Sequence, residues 1–178
     1  HPLKDIQVLV PMKKGIIGAD NLNFQLQQKL NGRDSYIERA GRKYMVGDKV
    51  MQIKNNYTKE IYNGDIGYIH SIDRDDEIVA VEFDDKEVYY EFSELDELTL
   101  AYAVSVHKYQ GSESKAVILV VHTSHFRLLQ RNLIYTGVTR GKELVVVIGN
   151  YKGLMMGVKN EEVLKRYSGL SHFIQAGG

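Results

Sequence analysis

The sequence predicts an α/β domain that is built on a parallel sheet and interrupted by a small β-barrel. Two continuous apolar runs, Ala116–Val121 and Leu144–Ile148, are typical of parallel strands that are buried on both faces. Between residues 42 and 98 the pattern changes to short strands rich in β-branched and aromatic residues. Because the α/β pattern then returns, we expect residues 1–41 and 99–178 to form one domain and residues 42–98 to be an insert.

The charged residues divide along the same boundaries. The 178 residues include 23 Lys and Arg against 23 Asp and Glu, so the net charge is zero. Residues 42–98 contain 7 basic and 15 acidic residues, a balance of −8, and the remainder carries +8. Neutrality is therefore a cancellation between two units with different surfaces, and it does not exclude a nucleic-acid partner of the basic unit.

The composition excludes several classes of protein. The chain contains no cysteine, which excludes disulfide scaffolds, thiolate metal sites and cysteine nucleophiles. No stretch approaches the ~18 consecutive apolar residues of a membrane span, and no charged-then-apolar leader opens the chain. We therefore expect a cytoplasmic protein with no membrane partner. Because the first residue is His1 rather than Met, we also expect a processed or excised fragment.

The first part of the chain predicts one strand and one helix. Ile6–Val10 is a short apolar run that ends at Pro11, as expected of a buried strand. Asp20 is a residue type that caps helices, and a helix is expected to follow it. The apolar residues of that helix are Leu22, Phe24, Leu26 and Leu30.

The insert predicts a small barrel of the SH3-like kind, because its strands are short and regularly spaced. The predicted strands are Lys49–Ile53, Ile66–Ile72, Glu77–Phe83 and Glu87–Phe92. The turns between them are predicted at Asn63-Gly64, Asp73–Asp76 and Asp84-Asp85.

The last part of the chain predicts a return to alternating strands and helices. Thr99–Ala103 is expected to be a strand that runs into Ser105 as a helix cap. After the strand Ala116–Val121, Ser124 is expected to cap a helix. The residues expected on one side of that helix are Phe126, Leu129, Leu133, Ile134 and Val138, and two short helices are expected around Tyr151–Met156 and Asn160–Tyr167.

The stretch Ser105-Val-His-Lys-Tyr-Gln-Gly-Ser-Glu113 is the first candidate for chemistry. It lies where a strand passes into a helix, and ligands of open α/β sheets collect beyond the carboxyl ends of strands. Ser105 and His107 can contact phosphate or a base, while Gly111 allows backbone N–H groups to approach an anion. Glu113 can accept a hydrogen bond from a ribose hydroxyl. The alternative is a capped helix followed by an ordinary glycine turn.

The second candidate is Tyr135-Thr-Gly-Val-Thr-Arg140-Gly-Lys142, at the end of a helix before a buried strand. An arginine at this place can reach a nucleotide bound to a neighbouring domain and stabilise charge on a transferring phosphate. The alternative is a cation that interacts with the dipole at the end of a helix.

Together these stretches resemble the second RecA-like motor domain of superfamily 1 helicases, and most closely the RecD-like branch, the alpha-subunit type of exodeoxyribonuclease V. Ser105–Glu113 is similar to helicase motif V, and Tyr135–Arg140 is similar to motif VI. Further similar segments are Val10–Gly15 with Leu22-Asn23 after motif IV, and Gly47–Met51, Asn55–Tyr57 and Asn63–Gly67 in the SH3-like insert. The resemblance implies a RecA-like parallel sheet with helices on both faces, interrupted by an SH3-like insert.

The resemblance also implies roles for individual residues. Arg140 would contact the γ-phosphate of ATP, Gly111 would approach it through its backbone, and Glu113 would bind the ribose. Gln110 would assist at the nucleotide or the backbone. The residues implied to contact single-stranded DNA are Ser105, His107, Lys108, Pro11, Met12 and Lys13, with Lys54, Asn55, Asn56 and Tyr57 as weaker candidates on an insert loop; Tyr57 or Tyr62 could stack on a base or simply pack.

Two elements of a complete motor are missing from the sequence. It contains no G-x-x-x-x-G-K-[ST] phosphate-binding loop and no Asp-Glu pair after an apolar strand. The resemblance thus implies that ATP with Mg²⁺ binds between this chain and an N-terminal RecA-like domain of the same full-length protein, which would hold the Mg²⁺. We expect the chain alone to be inactive, and the family implies 5′-to-3′ movement on DNA and possible partners in a nuclease–helicase complex.

Two other functions and one other site have to be weighed. A non-catalytic nucleic-acid-binding or assembly module with a degenerate motor fold would not need Gly111, Glu113 and Arg140 together. A relaxase-associated or Pif1-like helicase would use the same residues for a different task. His122 and His125 form an H-x-x-H pair, but no third ligand is nearby in sequence, so we expect no metal site.

Overall fold

The computed structural model describes residues 2–33, 35–39, 41–84 and 86–161. The strands are β1 (Ile6–Val10), β2 (Ile37–Arg39), β3 (Arg42–Tyr44), β4 (Lys49–Gln52), β5 (Ile66–Asp73), β6 (Ile78–Glu82), β7 (Glu87–Glu91), β8 (Leu98–Leu100), β9 (Ala103–Ser105), β10 (Ser114–Val121) and β11 (Gly141–Gly149). The α-helices are α1 (Pro2–Asp5), α2 (Ala19–Leu30), α3 (Arg131–Val138) and α4 (Tyr151–Lys159).

A parallel sheet of four strands forms the first layer, in the order β11-β10-β1-β9. The three apolar runs that predicted buried strands form β1, β10 and β11, which confirms them as strands. The prediction of burial is wrong for β11, which is an edge strand of this sheet: Leu144 and Ile148 are 55% and 51% exposed. Leu9, Val117 and Leu119 point to one face and are fully buried. Helix α3 packs on that face, where a Cβ built on Gly137 would lie 2.8 Å from Leu119 Cδ1. The helix and the sheet therefore approach closely only because residue 137 has no side chain.

An antiparallel sheet of five strands forms the insert, in the order β7-β6-β5-β4-β8. All four predicted strands are present as β4 to β7, and their alternating residues form one apolar core. That core includes Val50, Ile69, Val79, Val81 and Tyr90. The parallel sheet with its helices, together with this separate antiparallel sheet, confirms the predicted fold class. The short hairpin of β2 and β3 was not predicted, because its exposed residues are mainly charged.

The prediction of a single strand at Thr99–Ala103 is wrong. Residues Leu98–Leu100 pair with β4 in the antiparallel sheet, whereas Ala103–Ser105 pair with β1 in the parallel sheet. Ala101 and Tyr102 connect the two strands and are buried. One run of residues with high β propensity therefore forms strands in both sheets. The chain passes from the insert to the parallel sheet at Ala101 and Tyr102.

The prediction for helix α2 is right in place but wrong in its cap and its buried face. Gly18 precedes the helix and provides no side-chain cap, and Asp20 lies in the first turn. Asn23 and Gln27 are buried with Ala19, Leu26 is half-buried, and Phe24 is 53% exposed. The most buried face of the helix therefore carries two amides, whose hydrogen-bond partners lie far away in the sequence.

Asp48 lies at the centre of the polar contacts that join α2 to both sheets. Its carboxylate accepts hydrogen bonds from Gln27 Nε2 at 2.6 Å, Asn31 Nδ2 at 2.7 Å, Tyr102 Oη at 2.7 Å and Met45 N at 2.8 Å. Burial raises the pKa of Asp48 above its usual value, and these donors oppose that shift. Four donors therefore hold a buried carboxylate between the helix, the insert and the strand junction.

Asn23 attaches the same helix to the parallel sheet. Its Nδ2 donates to the Ala103 carbonyl at 2.8 Å, and its Oδ1 accepts from the Ala103 N–H at 2.8 Å. The N–H and the carbonyl of Ala103 both point away from β1. Helix α2 therefore provides hydrogen-bond partners for the backbone on the outer side of β9.

The helices after β10 differ from the prediction at one point. Ser124 does not cap a long helix: a 3-10 turn at Thr123–His125 is capped by His122, and α3 starts at Arg131. The helix predicted around Tyr151–Met156 is confirmed as α4, whose cap Asn150 accepts from Gly153 N at 2.8 Å. The helix predicted around Asn160–Tyr167 lies mostly outside the described residues. No helix in the described ranges is long and apolar enough to cross a membrane.

Candidate functional site

The register of the parallel sheet places the predicted site residues at its two opposite edges. Ser105 pairs with Val10 at the carboxyl ends of β9 and β1. Ser114 pairs with Gly141 at the amino ends of β10 and β11. Measured along β10, the Ser105–Val10 pair and the Ser114–Gly141 pair are six residues apart. At ~3.3 Å per residue, this separation is about 20 Å. Ligands were expected at the carboxyl ends, but the glycine turn before Ser114 lies at the amino ends.

Arg140 forms the centre of the group at the amino ends. Its Nη1 donates to the Ser112 carbonyl at 3.3 Å and its Nε donates to the Thr136 carbonyl at 3.2 Å. Its Nη2 contacts Thr139 Oγ1 at 3.2 Å. Within the described ranges, no carboxylate forms an ion pair with this half-exposed guanidinium. Its charge is therefore fixed in position and available to an anion.

The glycine turn lies next to this guanidinium. Gly111 has φ +91°, and a Cβ at this position would meet no atom within 4 Å. The backbone conformation thus favours glycine, and the space beside it is open. Gln110 is exposed and ends the preceding 3-10 turn, Val106–Tyr109. This arrangement gives an anion access to the backbone of the turn.

Glu113 follows the turn and already has a partner. Its carboxylate lies 3.5 Å from Lys142 Nζ, and both side chains are about half exposed. An exposed pair of this kind contributes only ~0–1 kcal/mol, so a ligand hydroxyl can compete for the carboxylate. No role was assigned to Lys142 from the sequence, although it lies two residues after Arg140.

Tyr109 holds the two ends of the glycine turn together. Its side chain is buried, and its hydroxyl lies 2.5 Å from Ser114 Oγ. Burial raises the pKa of Tyr109 above its usual value. The backbone N–H of Ser114 donates to the Arg140 carbonyl at 3.0 Å. The bond between Tyr109 and Ser114 is local to the first stretch, whereas the main-chain bond to Arg140 joins this stretch to the second, a contact that no local pattern in the sequence reveals.

The second group of predicted residues lies at the carboxyl ends of β1 and β9. Ser105 caps the 3-10 turn by accepting from the Lys108 N–H at 3.4 Å, and His107 and Lys108 are exposed. After β1, Lys13 is exposed and Met12 is half-buried, whereas the side chain of Pro11 is buried. The structure therefore brings these predicted residues to one edge, with Pro11 behind the surface.

Two lysines in this second group influence each other. Burial lowers the pKa of Lys108, and the nearby charge of Lys13 lowers it further. Among the described residues, neither lysine forms an ion pair with a carboxylate. These two ammonium groups outnumber the one carboxylate beside them, that of Asp20, and form a surface of net positive charge that attracts anions.

The insert loop has a mainly structural set of contacts. Asn55 Oδ1 accepts from the Asn63 N–H at 2.9 Å, and Asn56 Nδ2 donates to Glu97 Oε2 at 3.1 Å. Tyr57 is 74% exposed and packs edge-on against Tyr62, with ring centroids 6.2 Å apart. The two asparagines therefore shape the loop, and the tyrosines remain accessible to a stacking partner. Lys54 pairs with Asp96 at 2.7 Å.

The histidine pair is not arranged around a ligand. His122 Nδ1 accepts from the Ser124 N–H at 3.1 Å, whereas the imidazole of His125 is buried. Within the described ranges, no group of three histidine or acidic side chains is arranged to hold a metal ion.

Two helicase family models match adjoining parts of the chain. The model of the SH3 domain of ATP-dependent RecD-like DNA helicases matches residues 22–83. The model of the UvrD-like helicase C-terminal domain matches residues 100–148, which include both motif segments.

Curated relatives extend these matches over most of the chain. The ATP-dependent RecD2 DNA helicase of Deinococcus radiodurans is 40% identical over 138 residues, which are 78% of this chain and 19% of the relative. RecBCD enzyme subunit RecD of Haemophilus influenzae is 28% identical over 170 residues (96% and 25%), and that of Mycolicibacterium smegmatis is 30% identical over 176 residues (99% and 30%). The chain thus spans between a fifth and a third of the length of these relatives.

Solved structures show the same fold at lower identity. The Pif1 helicase from Bacteroides, crystallised with ADP-AlF3 and single-stranded DNA, is 20% identical with a TM-score of 0.60, over 95% of this chain and 44% of that one. The Candida albicans Pif1 helicase is 16% identical with a TM-score of 0.59, over 100% and 51%. With the family matches and the RecD relatives, this fold places the chain in the RecD-like DNA helicase family, as the C-terminal motor region with its SH3-like insert.

Proposed function

We propose that this chain is the C-terminal half of an ATP-dependent 5′-to-3′ DNA helicase. Residues 1–41 and 99–178 would form the second motor domain, and residues 42–98 would form its insert. The bond between Arg140 and the Ser112 carbonyl carries the proposal, because it unites the two motif segments beside an open glycine turn. A binding module without ATP chemistry has no use for this arrangement.

The group at the amino ends of β10 and β11 would supply half of a composite ATP site. Arg140 would contact the γ-phosphate and stabilise the charge that develops on it during transfer. Backbone groups at Gly111 would approach the same phosphate, and Glu113 would exchange Lys142 for a ribose hydroxyl. Gln110 would contact the nucleotide from the exposed end of the turn. The open space at Gly111 and the unpaired guanidinium fit a phosphate group.

The remaining half of the ATP site would lie on another RecA-like domain. The sequence has no phosphate-binding loop, and the described residues contain no acidic cluster that could hold Mg²⁺. We infer that ATP with Mg²⁺ binds at the junction with an N-terminal motor domain of the full-length protein. Bound Mg²⁺ would neutralise phosphate charge there, while this chain contributes the guanidinium and the glycine turn.

The group at the carboxyl ends of β1 and β9 would form part of the track for single-stranded DNA. Lys13, Lys108 and Ser105 would contact phosphates, and His107 would contact phosphate or a base. Met12 would lie against the strand, and Pro11 would shape the loop from behind. Of the insert residues, Tyr57 is the best placed to stack on a base, with Asn55 and Asn56 holding its loop.

The two groups lie at opposite edges of one rigid sheet, and this relationship supports a coupling between them. Closure of the motor domains around ATP would move the sheet as a unit, and with it the strand contacts about 20 Å away. We propose a cytoplasmic enzyme that acts on DNA, with subunits of a nuclease–helicase complex as candidate partners.

The purified 178-residue chain provides the first test. We expect it to bind a single-stranded oligonucleotide at low salt, with a salt dependence that is reduced in Lys13→Ala and Lys108→Ala but not in the exposed control Lys29→Ala. ATP hydrolysis should stay at background with or without DNA. Robust DNA-stimulated hydrolysis by this chain would contradict the division of the ATP site between two domains.

A further inference from the structure

A cavity of about 210 Å³ lies where the motor sheet meets the insert. Its walls come from the loop after β1, the start of α2, strands β4 and β8 of the insert, and the end of β9. It is smaller than the ~300–1,000 Å³ of pockets for drug-sized ligands, so its dimensions suit one small flat group.

The interior of this cavity is mainly apolar. The insert contributes Ile53 and Leu100, and the motor sheet contributes Val104. Ile53 is half-buried, and the other two are buried. Such a lining favours a group that loses little hydration on entry, such as the face of an aromatic ring.

The charged side chains that line the cavity carry a net positive charge. They are Lys13, Lys108 and Asp20, and neither lysine forms an ion pair within the described part of the chain. Ser105 also lines it; its Oγ accepts from the Lys108 N–H, so its hydroxyl hydrogen remains available to an acceptor. An apolar cavity lined by two lysines and one aspartate, with a net positive charge, matches a ligand that has an anion attached to a flat ring.

We infer that this cavity binds one nucleobase of the single strand, with the adjoining phosphate held by Lys13 and Lys108. The inference rests on the proposed function, since it assumes that a single strand passes this edge of the sheet. Base–aromatic stacking is not used here; the base lies between aliphatic side chains, and dispersion with loss of water stabilises it. One nucleotide of the bound segment is therefore held more tightly than its neighbours.

The test uses a series of oligothymidylates that each carry one abasic site at a different position. The affinity of the 178-residue chain for each oligonucleotide is measured at low salt. Removing the base that occupies the cavity should weaken binding by about tenfold or more, the effect of returning roughly 60 Å² of buried apolar surface to water. Removing other bases should change the affinity less than threefold. The 5′ end of each oligonucleotide needs a bulky block so that the bound register stays fixed.

Two matched variants localise the effect. Ile53→Phe fills the cavity, so the position-dependent loss should disappear in this variant. Ile72→Phe makes the same change at a half-buried insert residue that does not line the cavity, so the loss should persist.

The outcomes separate the two proposals. If the wild-type chain bound every abasic oligonucleotide with the same affinity, and binding still depended on Lys13 and Lys108, the base site would be overturned. The proposed strand track would remain intact. A loss that persists equally in Ile53→Phe would also overturn it. If the chain does not bind the intact oligonucleotide at all, the proposed function fails together with the base site.

Discussion

The Nη1 atom of Arg140 donates a hydrogen bond of 3.3 Å to the carbonyl oxygen of Ser112, across 28 residues of sequence. This bond sets the position of the guanidinium relative to the glycine turn at Gly111. A second link, from the Ser114 N–H to the Arg140 carbonyl at 3.0 Å, holds the main chains together. The cation and the turn therefore form one preorganised unit, as a phosphate-binding half-site requires.

Gly111→Ala tests the role of the turn. Because φ is +91° and the neighbouring space is open, the variant should lose about 1–2 kcal/mol of unfolding free energy through backbone strain alone. In the full-length protein it should also reduce ATP turnover. Gly15→Ala is the matched control, with φ +102° and equally open space: it should lose similar stability in a urea titration and retain turnover. Equal turnover in both variants would argue against a nucleotide at Gly111.

Asp48→Asn tests the polar junction between helix α2 and the two sheets. The carboxylate accepts four hydrogen bonds, and an amide would place a donor against other donors, so we expect a loss of about 2–4 kcal/mol. Asp96→Asn removes an exposed partner of Lys54 and should cost far less stability than Asp48→Asn. Urea denaturation measures both. A cost below 1 kcal/mol for Asp48→Asn would show that the junction contributes little.

Lys49 predicts an unusual dependence of stability on alkaline pH. Its Nζ donates to the Ile6 carbonyl at 3.2 Å, and burial lowers its pKa to about 8. Between pH 8 and about 10 the unfolded chain therefore holds more protons at this residue than the folded chain does. The contribution of this residue to stability consequently rises with pH in that window.

Lys49→Met should remove that rise. It should also increase the unfolding free energy at pH 7 by about 1–3 kcal/mol, because a buried charge without an ionic partner is replaced by an apolar chain. Lys54→Met changes an exposed lysine of the same insert and should do neither. Denaturation curves at pH 7 and 9.5 provide the measurement, and a stability of Lys49→Met well below wild type at pH 7 would contradict the account.

His125 predicts a loss of stability in acid. Burial lowers the pKa of this imidazole, and a contact with the backbone of Ile17 only partly opposes that shift. Below about pH 6.5 the unfolded chain gains a proton at this residue that the folded chain resists, so the unfolding free energy falls as pH falls.

A pair of histidine variants isolates this effect. His125→Leu should flatten the change in melting temperature between pH 7.5 and 5.5. His70→Leu, at an exposed histidine of the insert, should leave the wild-type slope. Identical slopes in all three proteins would show that the imidazole of His125 is hydrated or partnered.

The fold could be predicted wherever local patterns decide the structure. Runs of apolar residues, as in Ala116–Val121, predicted the strands of the parallel sheet without distant information. They did not predict the exposure of Leu144–Ile148, because the place of β11 at the edge of the sheet depends on tertiary pairing. Helix α2 differed because its buried face consists of amides, and the partners of Asn23 and Gln27 lie 80 and 21 residues away. The strand near Thr99 differed because the point at which the chain changes sheets depends on tertiary pairing.

The site could be predicted as motifs but not as geometry. The resemblance identified Arg140 and Gly111, yet only strand register shows that they lie at the opposite edge of the sheet from Ser105. The proximity of Lys13 and Lys108 likewise depends on β1 and β9 being neighbours. No role was assigned to Lys142 from the sequence, because its partner Glu113 precedes β10 whereas Lys142 lies on β11.

The most direct test of the central claim is ATP turnover by the full-length protein carrying Arg140→Ala. We predict that kcat falls by about 10³-fold or more, as for other arginines that act on the transferring phosphate, while the Kd values for nucleotide and single-stranded DNA stay within a few-fold. Arg127→Ala, at an exposed arginine of the same domain, should retain wild-type kcat. If Arg140→Ala keeps kcat within tenfold of wild type, this chain does not supply half of the ATP site.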